Sequence, residues 1–319
     1  MTEPGLYDDM SNHDYHHNSG GVSSSTVKLY KKTGAHAMRE LSKKKDSMVI
    51  TGDRSIISGD RRKSAKAKIM GDYLHCAVLQ PELLKSQYAI IPASLKMPTK
   101  AQIEAKKIKD STAEALNSIN VFLLANAGKI TIHEEDRETA QKMADNVLNH
   151  HESMMLLSGS EGLRENSIFW WHRDIDPRDN EEFSMLAKCR PDWLTRDFNI
   201  LPDLKSCRSA DSSGFAKQAY EYGYHISMGM YLEGINQSEE MLNKCGHDFI
   251  DKVAFVCVEN EGDHLVRVVE LDGRDVEFGR ESFRRLMIRA NRAVQNNHPG
   301  YAGEIPKIRL PGWKRQVEI

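Results

Sequence analysis

The sequence predicts an α/β fold: a central mixed β-sheet flanked by helices, with a helical region ahead of most of the strands. Three observations lead there. Apolar residues recur at helical spacing through much of the first half, then give way to strand-like runs between residues 167 and 205. Helical spacing returns before a second pair of strands and a last helix. Val253-Ala254-Phe255-Val256-Cys257-Val258 is an unbroken apolar run of strand length, the pattern of a buried strand. Finally, 319 residues with 39% hydrophobic and 28% charged side chains match a globular chain with a substantial core.

Residues 1–20 are polar, with His13, His16 and His17, and read as an irregular lead-in to a single domain over residues 21–319. Ser23-Ser24-Ser25-Thr26 offers N-caps for a short helix through Val27, Leu29 and Tyr30. Lys43 to Lys63 is basic and weakly apolar, which predicts a loop, and a helix follows from Ala65 to Leu79, stopped by Pro81. Thr99–Ala127 and Glu134–Leu157 form a helical insert, separated by Gly128 and a short Ile130–Ile132 strand. Strands are expected at Ser167–Trp171, Ser184–Arg190 and Phe198–Lys205, the last two joined by a turn near Thr195–Asn199. A long helix over Ser213–Ile235 comes next. Val253–Val258 and Leu265–Leu271 then make a hairpin, and an arginine-rich helix runs over Phe278–Val294.

Composition narrows the function classes. Five scattered cysteines with no Cys-x-x-Cys pair argue against a disulfide framework, a structural zinc site and a cysteine-ligated iron–sulfur cluster. They read as small buried hydrophobes. No apolar run has the length of a membrane span and the N-terminus lacks a signal-peptide pattern, so a cytoplasmic location is expected. The formal net charge of −2 conceals a segment, Lys28 to Lys68, with thirteen Lys/Arg against four Asp/Glu. Such a segment can meet phosphates or simply face solvent.

The chemistry centres on Asp192 and, eleven residues later, Asp203-Leu204-Lys205. On a strand, residues two apart share a face, so Asp203 and Lys205 project together. A hairpin partner ending at Asp192 can deliver a second carboxylate. Two carboxylates about 4 Å apart repel by roughly 4 kcal/mol at an effective dielectric near 20, and a divalent cation removes that repulsion. A hard oxygen site of this kind suits Mg²⁺, with Mn²⁺ able to substitute, and the Leu204 carbonyl can complete it. Phosphodiester hydrolysis needs such a cation, and beside it a lysine to position water or offset transition-state charge. Taken alone, Asp-x-Lys is common and can equally be a surface ion pair.

Pro191-Asp192 followed by Asp203-Leu204-Lys205 resembles the signature of the PD-(D/E)xK nuclease superfamily. The surrounding residues resemble one branch, the exonuclease VIII (RecE-type) recombination nucleases. The likeness runs through Met10-Ser11-Asn12-His13-Asp14-Tyr15-His16, then Gly71-Asp72-Tyr73-Leu74-His75-Cys76-Ala77-Val78-Leu79-Gln80-Pro81. It continues through Glu165-Asn166-Ser167-Ile168-Phe169-Trp170 and Cys189-Arg190-Pro191-Asp192. Past Tyr222-Gly223-Tyr224-His225-Ile226 and Tyr231-Leu232-Glu233-Gly234 it ends at Leu310-Pro311-Gly312-Trp313. It therefore spans nearly the whole chain and implies a restriction-endonuclease-like core.

Carried over by residue, the resemblance implies metal ligation by His75, Asp192 and Asp203, and makes Lys205 the catalytic lysine. His75 sits among apolar helix neighbours, with Gly71 one turn before it to allow close approach. From the residues alone it is as compatible with a buried hydrogen-bonded histidine. Glu165 matches an acidic position that holds a water or a second ion, or is an edge carboxylate. Arg190 can bind phosphate through its planar fork, or pair with Asp192 or Glu165. Tyr231 and His225 are candidate DNA contacts. Where many relatives carry Gln-x-x-x-Tyr, this chain has Ser227 and Tyr231, so the glutamine is missing.

The activity implied is exonucleolytic digestion of linear duplex DNA from 5′ ends, giving single strands for phage-type recombination. A ring-like homo-oligomer and a single-strand-annealing partner are implied with it. An endonuclease using the same site, or a non-catalytic DNA-binding protein, are the alternatives.

Overall fold

The computed structural model describes residues 2–49, 59–95, 98–103, 105, 107–157 and 162–301. The lead-in is more ordered than its polarity suggests. Strand β1 (Gly5–Tyr7) pairs antiparallel with a later strand, placing the Tyr7 ring edge-on against Phe169 at 5.4 Å. A single π-turn follows at Asp14–Asn18. Periodicity gave no sign of β1 because its partners are backbone groups of a distant strand.

Ser23 caps helix α1 (Ser24–Val27), accepting from the Thr26 N–H, as expected. Helix α2 runs over Gly34–Val49 and α3 over Gly59–Leu79, so the predicted basic loop is helical at both of its ends; residues 50–58 lie outside the described residues. Short helices α4 (Leu84–Gln87) and α5 (Lys100–Ile103) accompany strand β2 (Tyr88–Ile91). Helix α6 covers Asp110–Ala125, β3 Ile130–His133, α7 Glu134–Asn149 and α8 His151–Leu157. The long 99–127 helix is thus two pieces.

Strands β4 (Leu163–Arg164), β5 (Ser167–Asp176), β6 (Glu181–Cys189), β7 (Trp193–Leu194) and β8 (Leu201–Cys207) come next. Helices α9 (Ser212–Tyr222), α10 (Tyr224–Asn236) and α11 (Glu239–Cys245) precede β9 (Val253–Glu259), β10 (Val266–Glu270) and the final helix α12 (Gly273–Gln295). The expected Ser213–Ile235 helix breaks at Gly223, whose left-handed backbone (φ 65°) closes α9 and opens α10. The Leu310–Trp313 motif lies outside the described residues.

The fold is mixed α/β, as predicted. Its ladders divide into β1-β5-β6 and β10-β9-β8, with two-stranded β2-β3 and β4-β7 besides. Strand β8 runs parallel to β9 and β9 antiparallel to β10, which confirms the last hairpin. The hairpin expected between the second and third central strands does not form: β6 pairs with β5, and Asp192 leads instead into the two-residue β7.

Strands β8 and β9 are packed on both faces, which explains the unbroken apolar run of β9. Phe255 and Cys257 face a core with Leu201, Phe215, Ile226, Met230 and Phe283. Val256 and Val258 face a second core with Leu204, Leu74, Val78, Met143 and Val147. In the first core α10 and α12 cross closely at two glycines. A Cβ on Gly229 would lie 2.4 Å from the Arg280 nitrogen, and one on Gly279 would lie 2.1 Å from the His225 carbonyl oxygen. Gly71, by contrast, is not a close approach, since a Cβ there would meet only Ser206 Oγ at 4.0 Å. All five cysteines are free and buried.

Candidate active site

The site forms at the open edge of β8, the strand with β9 on one side and, among the described residues, no ladder partner on the other. Along β8, Asp203 and Lys205 share the face of Leu201 and Cys207, while Leu204 turns into the opposite core. The Leu204 N–H and C=O point off the edge. Its N–H donates to Asp192 Oδ2 at 2.8 Å, and its carbonyl accepts from Lys205 Nζ at 3.1 Å. An edge residue that would otherwise lack partners is thereby bound into the site.

Asp192 arrives from the β6–β7 connection and His75 from the last two turns of α3. His75 Nδ1 lies 3.5 Å from Asp192 Oδ2. Glu165 sits between β4 and β5 in left-handed backbone (φ 51°), unusual for a non-glycine residue, and its N–H donates to the Asp192 carbonyl at 3.2 Å. Ligand atoms of His75, Glu165 and Asp192 all fall within 4.8 Å of one another. Among the described residues this is the group arranged to hold a metal ion. Glu165 therefore joins the candidate ligands, whereas Asp203, predicted as one, directs Oδ2 into an ion pair with Lys205.

The electrostatics show how crowded these charges are. Burial, and then Asp192, push the Glu165 carboxyl up to about 8. Burial raises Asp203 to about 6 against the pull of Lys205, and raises Asp192 against both Lys205 and the Leu204 N–H. Burial favours a neutral Lys205, but Asp203 and Asp192 outweigh it and hold the ammonium above its usual value. Burial and Lys205 pull His75 down to about 4, which keeps its ring neutral and able to ligate. Two crowded carboxylates, a neutral imidazole and a nearby backbone carbonyl suit a hard divalent cation such as Mg²⁺ or Mn²⁺.

The other expected residues divide. Tyr231 is half-buried and close enough to Tyr15, Asp203, Cys189 and Asp192 to feel their charges, with burial raising its hydroxyl pKa well above normal. Tyr224 lies under Lys205, whose Nζ is 5.5 Å from its ring centroid. Arg190 is buried instead of being presented to phosphate. Its Nε and Nη2 donate to Ser167 Oγ, Nη2 also donates to the Met10 carbonyl at 2.6 Å, and its guanidinium lies over the Tyr15 ring. His225 is stacked between Tyr220 and Phe278 at the start of α10. Ser227, at the missing glutamine position, accepts from Lys28 Nζ at 3.0 Å.

Two neighbours escaped the sequence reading. Tyr15, 4% exposed, carries both Lys188 and Arg190 over its ring, a contact across more than 170 residues that no local pattern announces. Asp72 interacts electrostatically with His75 and is raised by burial; its i, i+3 spacing from His75 on a helix was the available signal.

Over residues 23–311 the sequence matches the family described as a PDDEXK-like domain of unknown function (DUF3799). The fold is similar to that of a candidate exonuclease from Eubacterium rectale, at 12% identity over 98% of this chain and 99% of that one, with a TM-score of 0.48. A phage-related exonuclease from Haemophilus somnus 129PT is similar at 13% identity over 64% of this chain and 92% of that one, with a TM-score of 0.28. No curated protein sequence is significantly similar to the chain. Its match to one family over nearly all its length, with Asp192, Asp203 and Lys205 gathered on one strand edge, makes the chain a member of the PDDEXK-like DUF3799 family.

Proposed function

We propose that the protein is a Mg²⁺-dependent exodeoxyribonuclease that hydrolyses linear double-stranded DNA from its ends, in the 5′-to-3′ direction, leaving single strands for recombination. The observation that carries the reading is the convergence of His75, Glu165 and Asp192 within 4.8 Å, beside the Lys205–Asp203 pair. The resemblance of Asp192, Asp203 and Lys205 to the PD-(D/E)xK signature, together with the match to a PDDEXK-like family, supports nuclease chemistry at this site.

His75, Glu165, Asp192 and the Leu204 carbonyl would hold a divalent cation, which would supply positive charge to polarise a phosphoryl oxygen and acidify an attacking water. The remaining work falls to the chain itself. Lys205, kept protonated by Asp203, offsets negative charge on the phosphate as it becomes five-coordinate. Asp203 fixes the direction of that ammonium, and Tyr224 covers one side of it. Tyr231 places a hydroxyl near the two aspartates. The likeness to exonuclease VIII-type sequences supports end-dependence, polarity, a homo-oligomer and an annealing partner as parts of the same proposal.

The test is digestion of linear duplex DNA with free or blocked ends, alongside a closed circle, with Mg²⁺ and with chelator. Cleavage of the open linear substrate alone, abolished by chelator and by Asp203→Ala, is the expected result. Cutting of the circle would assign an endonuclease instead, and cutting that survives Asp203→Ala would overturn the site.

A further inference from the structure

A cavity of about 360 Å³ opens at the far end of β5 from the catalytic edge. Its lining carries four cations, Lys32, Arg178, Arg289 and Arg292, and no carboxylate; Tyr30 and Tyr301 add two rings, the latter 85% exposed. The charges are unequally compensated. Arg292 is gripped by Asp176 through both of its forward nitrogens. Arg289 is oriented by the Lys32 backbone carbonyl, a neutral partner. Lys32 and Arg178 are exposed and form no ion pair among the described residues. The middle of α12 contrasts with this: Arg280, Arg284 and Arg285 each meet a glutamate, from Glu277, Glu233 and Glu281. At this end of the helix Arg292 is paired as well, and Arg289 is left without an acidic partner among the described residues.

We propose that this cavity holds a backbone phosphate of the DNA, one helical turn or so away from the bond being cut. The inference rests on the nuclease reading for its substrate. Strand β5 links the two places: Ser167 adjoins Glu165 and Arg190 at one end, and Asp176 holds Arg292 at the other. Ten extended residues put these ends roughly 30 Å apart. A DNA strand advances about 3.4 Å per nucleotide, so the cavity meets the backbone around nine nucleotides from the catalytic site. Arginine forks and a lysine are the groups that bind phosphate oxygens, and four lining cations against the one carboxylate that grips them, Asp176, favour an anion over a neutral ligand.

The full-length protein in chelator is titrated with DNA hairpins having one open end and stems of about six or about 24 base pairs, the latter long enough to span both sites. Wild type should bind the long stem several-fold more tightly. Lys32→Ala/Arg178→Ala, at exposed positions outside the catalytic machinery, should remove that advantage and lower the salt dependence of long-stem binding by about one in log–log slope. Its Mg²⁺-dependent cleavage of the short stem should match wild type. An unchanged long-stem affinity and slope would overturn the proposal. So would binding of inorganic phosphate by wild type and not by the double variant with no long-stem advantage in either, because that marks a site for free phosphate. Failure of wild type to cut either stem would sink the nuclease reading instead, while binding in chelator still decides the cavity.

Discussion

Asp192 reaches across from the β6–β7 connection to take the Leu204 N–H at 2.8 Å, while the same carboxylate oxygen lies 3.5 Å from His75 Nδ1. One side chain thus closes an open strand edge and supplies a charge to the proposed cation site. The two duties separate by substitution. Asp192→Asn keeps an acceptor for Leu204 and removes a charge that burial disfavours, whereas Asp192→Ala leaves a buried N–H unpaired, at a cost of about 1–3 kcal/mol. In chelator, urea unfolding should show Asn at or above wild type and Ala clearly below it, with Mg²⁺-dependent cleavage lost in both.

The Glu165 carboxyl, pushed up to about 8, makes the metal-free fold sensitive to base. Between the ordinary carboxylate range and that value the folded state holds a proton that the unfolded chain has lost. Stability therefore falls as pH rises through this window. Asp203 adds to the decline up to about 6, while His75, pulled down to about 4, acts oppositely as pH drops from its ordinary value. Glu165→Gln should flatten the alkaline decline, so its Tm advantage over wild type in chelator should grow from pH about 5 to about 8. A difference that does not vary with pH would remove Glu165 from the account.

Because a ligating carboxylate must shed its proton, Mn²⁺ binding near neutral pH should release about one proton. Calorimetry in buffers of different ionisation enthalpy reads this directly. Glu165→Gln should abolish the release.

Lys205 opposes a bound cation electrostatically while serving the reaction. Lys205→Ala should lower single-turnover cleavage by about 10²–10³-fold, the effect of removing one preorganised charge stabiliser. Mn²⁺ affinity should stay the same or tighten. A loss of metal affinity would give the lysine a purely structural part.

Arg190 is expected to matter for folding more than for DNA affinity, since its bonds go to Ser167 and Met10. Arg190→Ala should lower Tm and leave the salt slope of DNA binding near wild type, where loss of a phosphate contact would shift that slope by about one.

Much of this was legible in the chain. β9, the last hairpin, the Ser23 cap and the Asp203–Lys205 face all follow from patterns a few residues long. What escaped depends on contacts distant in sequence. β1 exists because β5 has a free edge, and Arg190 is consumed by Tyr15, Ser167 and Met10, none of which a local pattern ties to it. The false hairpin to Asp192 had the right consequence by the wrong route: a side-chain bond to Leu204, not a backbone ladder, brings the two carboxylates together. Glu165 enters the cluster through a left-handed turn that its residue type disfavours.

The two hydrophobic cores on either side of β8 and β9 have a consequence for how the proposed activity responds to heat. His75 rides on the helix rooted in one core, and Glu165 leads into a strand rooted in the other. A slip of an ångström between these halves leaves both interiors dry and the helices intact, yet it misaligns groups whose rate contribution depends on placement at that scale. Warming should extinguish catalysis before circular dichroism or tryptophan emission registers any melting.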